Sequence, residues 1–179
     1  MFYIIIEKYM KPIVHAPLPV LSTKAKTVTV FDKKLRTLIS DMKETLKNAR
    51  NPRGVGLAAP QVGEPWRVFL IWPDTKKEMR VFINPEIVKG TEGIGKKPQK
   101  DDTRLEGCLS VPRVWGKVNR HPSLTLTYQD ETGVSHEEEF SGFPATIVQH
   151  ETDHTNGILF TQRVLEQKGE LFRPVKDLN

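Results

Sequence analysis

One cysteine in 179 residues, Cys108, leaves no partner for an intrachain disulfide, so the fold must hold without cross-links. The length is sufficient for that, because a chain of this size buries roughly 70% of the surface its unfolded form exposes. One domain spanning 1–179 is expected. Long apolar runs are also missing. Phe2 to Ile6 is stopped by Glu7 and Lys8, too short for a membrane span or the apolar stretch of a secretion signal. A cytoplasmic protein with no membrane partner is therefore expected, and a lone thiol there points to metal binding or catalysis. Internal repeats and low-complexity tracts are absent, which argues against solenoids and linker arrays. Acidic residues are scarce only in the first third: residues 1–53 carry 11 Lys and Arg against 4 Asp and Glu, whereas residues 54–179 carry 16 against 18. A basic surface favours encounter with RNA or other polyanions, but charge of this kind is more often a solvated face and says nothing of fold.

What is present reads as α+β. Leu35, Leu38, Ile39, Met42 and Leu46 recur at helical spacing behind Asp32, a residue suited to capping, and predict a core helix over Asp32 to Lys47. Val68 to Ile71 and Val81 to Ile83 predict two strands joined through Pro73-Asp74-Thr75-Lys76. Leu124, Leu126 and Tyr128 alternate with polar residues, and Asp130-Glu131-Thr132-Gly133 turns that strand into another over Val134 to Phe140. Residues 1–12 form an N-terminal arm. Residues 89–104 hold eight charged side chains among sixteen, a composition expected of a surface insert.

The chemistry concentrates in Gln149-His150-Glu151-Thr152-Asp153-His154. On a helix, residues i and i+4 stand one above the other, so His150 and His154 can offer ring nitrogens to one ion. Glu151 lies about 100° round the axis, where it can reach a water on the metal without ligating it. Pro144 suits a first helical turn, Ala145 to His154 contains no breaker, and Asn156-Gly157 is a ready stop. The plainer alternative is an amphipathic helix that happens to carry two histidines. A tetrahedral site wants a third protein ligand and an open position, and Cys108, in Glu106-Gly107-Cys108-Leu109-Ser110, is the candidate; a lone buried thiol is otherwise a small core residue. The stretch from Gly54 to Gly63 lets a backbone approach a ligand closely, yet it is neither a P-loop nor a dinucleotide fingerprint, and by itself reads as a glycine-rich turn.

Taken together, Gly54 to Gln61, Glu106 to Ser110 and His150 to His154 resemble the three motifs of peptide deformylase, GxGLAAxQ, EGCLS and HExDH, in that order. The resemblance runs from Ile13 to about Arg163 and includes Ile83-Asn84-Pro85 and Gly157-Ile158-Leu159-Phe160. It implies antiparallel or mixed sheets around a central HExxH helix. It implies one divalent metal on Cys108, His150 and His154, ferrous iron by preference, with Zn2+, Ni2+ or Co2+ as substitutes. Glu151 would be general base and then acid; Gln61 and the Leu109 backbone N–H would hold the oxyanion. Gly56, Gly107 and neighbouring backbone would pair with an extended substrate, and Val55, Ile147 and Val148 would wall the methionine pocket, though core packing is their ordinary role. The reaction implied is removal of the N-formyl group from formyl-methionyl nascent peptides, by a monomer with a transient ribosome contact and no specific nucleic acid.

Two other classes compete. A general HExxH metallopeptidase would draw its third ligand downstream, where only Glu166 and Glu170 are available and no histidine follows His154. A basic RNA-binding protein with a structural ion would use residues 1–53, but Glu151 and Gln61 would then have no purpose. Within the resemblance, Thr155 stands where leucine is common, Trp115 where arginine is frequent, and Gln162 where an acidic residue is common.

Overall fold

The computed structural model describes residues 10–50, 53–90 and 105–174. The N-terminal arm up to residue 9 and residues 91–104 of the expected insert lie outside the described residues, whereas Lys89 and Gly90, the start of that insert, belong to a strand.

Helix α1 (Lys33–Asn48) begins where predicted: Asp32 is extended, and its carboxylate accepts from the Leu35 N–H at 3.0 Å. Leu35, Leu38, Ile39, Met42 and Leu46 are buried. They pack against Leu57, Val62, Val68, Leu70 and Ile83, one of the two main bodies of the core. Five strands form the larger sheet: β1 (Gly56–Ala58), β2 (Val68–Ile71), β3 (Arg80–Gly90), β6 (Ser123–Gln129) and β7 (Ser135–Ser141), in spatial order β1-β2-β3-β6-β7. A second sheet of order β4-β5-β8 comprises β4 (Glu106–Cys108), β5 (Val111–Gly116) and β8 (Leu171–Phe172).

Every strand pair is antiparallel. The expectation of antiparallel or mixed sheets therefore resolves to antiparallel, and the parallel contact among the described residues is an isolated bridge between Lys26 and Trp66. For β1–β2, β2–β3, β4–β5 and β6–β7 the short connections require it, since parallel neighbours need long crossovers. The glycine-rich stretch also departs from a simple turn. Gly56–Ala58 is a strand, because Leu57 and Ala58 bury their side chains opposite Leu70 and Phe69. Strand β3 runs past the predicted Ile83 through a bulge at Asn84-Pro85. Asn84 adopts a φ of 51°, and its side chain substitutes for a ladder by bonding both the N–H and the carbonyl of Val28 at 2.8 Å.

The β6–β7 hairpin turns at Asp130–Gly133 as predicted, with Gly133 at a φ of 89°, and leads directly into helix α2 (Gly142–Thr155). One side of α2 places Ala145, Ile147 and Val148 among Phe69, Ile71, Phe82 and Leu126. The helix ends at Asn156 and Gly157, the latter at a φ of 74° with Thr23 backbone 2.7 Å from where a Cβ would stand. Helix α3 (Phe160–Glu166) then packs Phe160 and Val164 beside Cys108.

Candidate active site and metal centre

Helix α2 is buried on nearly every side despite carrying Gln149, Glu151, Thr152, Asp153 and His154 inward. Buried polar groups demand partners, and these divide: Glu151 Oε2, Thr152 Oγ1 and His154 Nδ1 have none among the described residues, whereas Gln149 and Asp153 have several. Gln149 exchanges two 3.0 Å bonds with the His121 backbone, and Asp153 accepts from both Arg120 and Arg163. Such an arrangement is expected of a helix held for its chemistry rather than its apolarity.

Cys108, His150 and His154 converge, with one ligand atom from each lying within 4.8 Å of the others. Cys108 Sγ is 3.2 Å from His154 Nε2, and it accepts from the Ser110 N–H and from Gln61 Nε2 at 3.4 Å each. Burial pushes the Cys108 thiol up, but the charge of His154 and hydrogen bonds from both histidines outweigh it and hold the group well below the usual thiol range. His150 answers in the opposite sense: burial lowers it, and hydrogen bonds with Cys108 and Glu106 raise it well above an ordinary imidazole. His150 Nδ1 lies 2.9 Å from Glu106 Oε2, which leaves Nε2 facing the cluster. The residue that joins the two histidines in a possible donor set thus lies upstream of the helix. Glu166, the candidate of a downstream-ligand peptidase, is exposed and bonded to Gln162 and Arg163.

Glu151 stands beside the three donors, not among them. Its Oε2 is buried without a partner among the described residues, and burial pushes the carboxyl up to about 7. Its other oxygen lies against Gly56: a Cβ there would be 2.3 Å from Glu151 Oε1 and 2.7 Å from Cδ. Gly56 is thus required by the carboxylate as much as by any ligand. Gln61, in the 3-10 turn Ala59–Val62, is locked by its Oε1 accepting from the Ala58 N–H at 2.8 Å, so its Nε2 is aimed at the cluster. Leu109 occupies the turn between β4 and β5, and its Cδ1 is 3.1 Å from the Cβ position of Gly54, interlocking two of the three motif segments.

The substrate-side candidates divide. Val55 is half-buried at the rim, its carbonyl accepting from the Trp72 N–H at 2.7 Å. Gly107 is exposed on β4 opposite Trp115, whose indole fills the space a side chain would take. Ile147 is almost fully buried. Val148 has no accessible surface, and both residues pack from α2 into the core against the large sheet.

Sequence inspection overlooked the charged residues behind the ligands. Arg120 donates to both oxygens of Glu106 at 2.8 and 3.0 Å and to Asp153 at 2.6 Å; Arg163 holds the other Asp153 oxygen at 2.7 Å. Burial works against the Glu106 anion, yet bonds from His150 and Arg120 prevail and hold its carboxyl at about 2. A buried arginine in the loop between two strands has no periodicity to betray it.

Comparison with known proteins places this geometry in context. The sequence model of the polypeptide deformylase family matches residues 10–170. A peptide deformylase of Christiangramia forsetii is 40% identical over 177 residues, covering 90% of this chain and 85% of that relative. A crystal structure of peptide deformylase from Thermotoga maritima superposes with a TM-score of 0.74 at 38% identity, covering 87% of this chain and 97% of the other. The Met-Ala-Ser-bound peptide deformylase of Acinetobacter baumannii is similar with a TM-score of 0.72 at 33% identity, over 87% and 99% of the two chains.

Proposed function

This chain belongs to the polypeptide deformylase family, and from that membership we propose how its residues divide the work of the reaction. The enzyme hydrolyses the N-formyl group from the terminal formyl-methionine of newly made polypeptides, releasing formate and a free amine. The observation that carries the assignment of residues is the convergence of Cys108, His150 and His154 beside Glu151 and Gln61.

One divalent cation suits the donor set, since a thiolate and two imidazoles, buried and held by partners behind them, match zinc or ferrous iron. Ferrous iron is the proposed resident, with zinc, nickel or cobalt able to replace it. When bound, the cation supplies Lewis acidity that makes water a nucleophile near neutral pH. Glu151 takes the proton of the attacking water and returns it to the departing nitrogen; burial raises the affinity of its carboxyl for that proton. Gln61 Nε2 and the Leu109 backbone N–H donate to the oxygen that becomes negative as the formyl carbon turns tetrahedral. Glu106 orients His150 through Nδ1.

The substrate lies extended between the free edge of β1 at Gly56 and the backbone at Gly107, with Val55 and Ile147 walling the methionine side chain and Val148 backing that wall from the core. The same reading has a monomer acting in the cytoplasm on formyl-methionyl chains, with a transient contact at the ribosome and no resident nucleic acid. No helix among the described residues is long and apolar enough to cross a membrane.

The test is formate release from N-formyl-Met-Ala-Ser by protein loaded anaerobically with ferrous iron and, separately, with nickel. Metal-dependent turnover that disappears in Glu151→Ala while its metal content persists is the expected result. Full activity in that variant would remove Glu151 from proton transfer, and no turnover by metal-loaded wild type would sink the reading.

A further inference from the structure

The metal donors come from two separate elements, Cys108 from strand β4 and the two histidines from helix α2, and their separation must be set by something other than the ion. Backbone pairing does not do it: β4 pairs with β5, and α2 belongs to no sheet. Side chains span the gap: Glu106 of β4 accepts directly from His150 of α2, and one arginine ties Glu106 to Asp153 as well. Arg120, in the connection between β5 and β6, is only 9% exposed and uses its whole fork. Nε and Nη2 donate to the two Glu106 oxygens at 2.8 and 3.0 Å, and Nη1 donates to Asp153 Oδ2 at 2.6 Å. Glu106 lies two residues before Cys108 and accepts from His150; Asp153 lies between His150 and His154.

We propose that Arg120 is a positioning residue, a buried ionic strut that holds the thiolate-bearing strand and the imidazole-bearing helix at metal-binding separation. It touches none of the donors, so it acts through Glu106 and Asp153. The charges support the assignment. Two carboxylates and the guanidinia of Arg120 and Arg163 form a neutral group, with Arg163 anchoring the far side of Asp153 from α3. A buried carboxylate pair without Arg120 would repel, and β4 and α2 would separate where they must converge. The planar fork is essential to the strut, because lysine offers a point charge that cannot pair bidentately with Glu106 while also reaching Asp153.

This inference rests on the metal assignment above, and its test reads the metal directly. Wild type, Arg120→Lys, Asp153→Ala and Arg80→Lys are prepared metal-free, checked for folding by circular dichroism, and titrated with Co2+ while the visible absorption of the bound ion is recorded. Arg80→Lys breaks another forked arginine–carboxylate pair, with Glu138, half-exposed and away from the metal donors, and controls for the loss of such a pair as such. Arg120→Lys is expected to weaken Co2+ binding about 10- to 100-fold, the range seen when groups behind metal ligands are removed. Its absorption band should also shift as the donor geometry relaxes. Asp153→Ala, which frees only the helix end of the strut, should weaken binding in the same direction, and it keeps the question answerable should Arg120→Lys not fold. Wild-type affinity and an unshifted band in either folded variant would overturn the strut, as would an equal loss in Arg80→Lys. A wild-type protein that binds no Co2+ would overturn the metal assignment itself.

Discussion

Gly56→Ala adds a single methyl group to this protein, yet it should act as a catalytic lesion. The backbone at Gly56 does not require positive φ, so an alanine there carries no conformational penalty of its own. The obstacle is Glu151: the new Cβ would stand 2.3 Å from Oε1, against ordinary contact at 3.4 Å or beyond, so the carboxylate must retreat by about 1 Å. It cannot swing into solvent, because Glu151 is buried on a helix packed on both sides. A misplacement of that size commonly costs about 100-fold, or roughly 2.7 kcal/mol of transition-state stabilisation. The loss should fall on kcat, with KM and metal content nearly unchanged, because the strand backbone and the three donors stay in place. Steady-state formate release gives the numbers, and a double variant sharpens them. In a Glu151→Gln background, Gly56→Ala should add little, since the effect runs through the carboxylate. Activity within threefold of wild type, or fully additive losses in the double variant, would refute this account of Gly56.

Other outcomes follow from the same geometry. Cys108→Ala should abolish stoichiometric metal binding, measured by elemental analysis after desalting, because no other thiolate exists in the chain; full retention would remove Cys108 from the ligand set. Glu151 should cost the metal-free protein stability. Its carboxyl is raised from 4.5 to about 7 by burial, so ionisation favours the unfolded state as pH rises above 4.5, and the penalty is complete above about 7. Urea unfolding in chelator should therefore find Glu151→Gln more stable than wild type by roughly 3 kcal/mol at pH 8 and no more stable at pH 4. Equal stabilities at both values would contradict this. Met42→Ala, at a position with no exposed surface in α1, should lower stability by about 3 kcal/mol in the same assay; a change below about 1 kcal/mol would mean that the helix repacks freely.

Much of this protein was legible in its sequence, for reasons that are local. The α1 cap and its buried stripe follow from Asp32 and a 3.6-residue period, and the β6–β7 hairpin from alternation around Asp130–Gly133. The histidine-bearing helix follows from an i, i+4 pair between a tolerated proline and a stop at Asn156-Gly157. Residue chemistry also singled out Cys108, since a lone thiol beside an HExxH motif suits a metal, and the fold brings it to both histidines. What sequence could not decide depended on residues far apart in the chain. The glycine-rich stretch became an edge strand because β2 supplied a partner, and Asn84-Pro85 stayed within β3 because Val28 accepted and donated in place of a neighbouring strand. Nothing local in the sequence says which way Ile147 and Val148 face, and the large sheet packing on α2 decides it. Gly56 owes its identity to a carboxylate 95 positions away, and Arg120 owes its burial to two acids on different elements. Ligand identity is a property of side-chain chemistry and is written locally; ligand position is set by contacts across the fold, and only the folded chain brings those together.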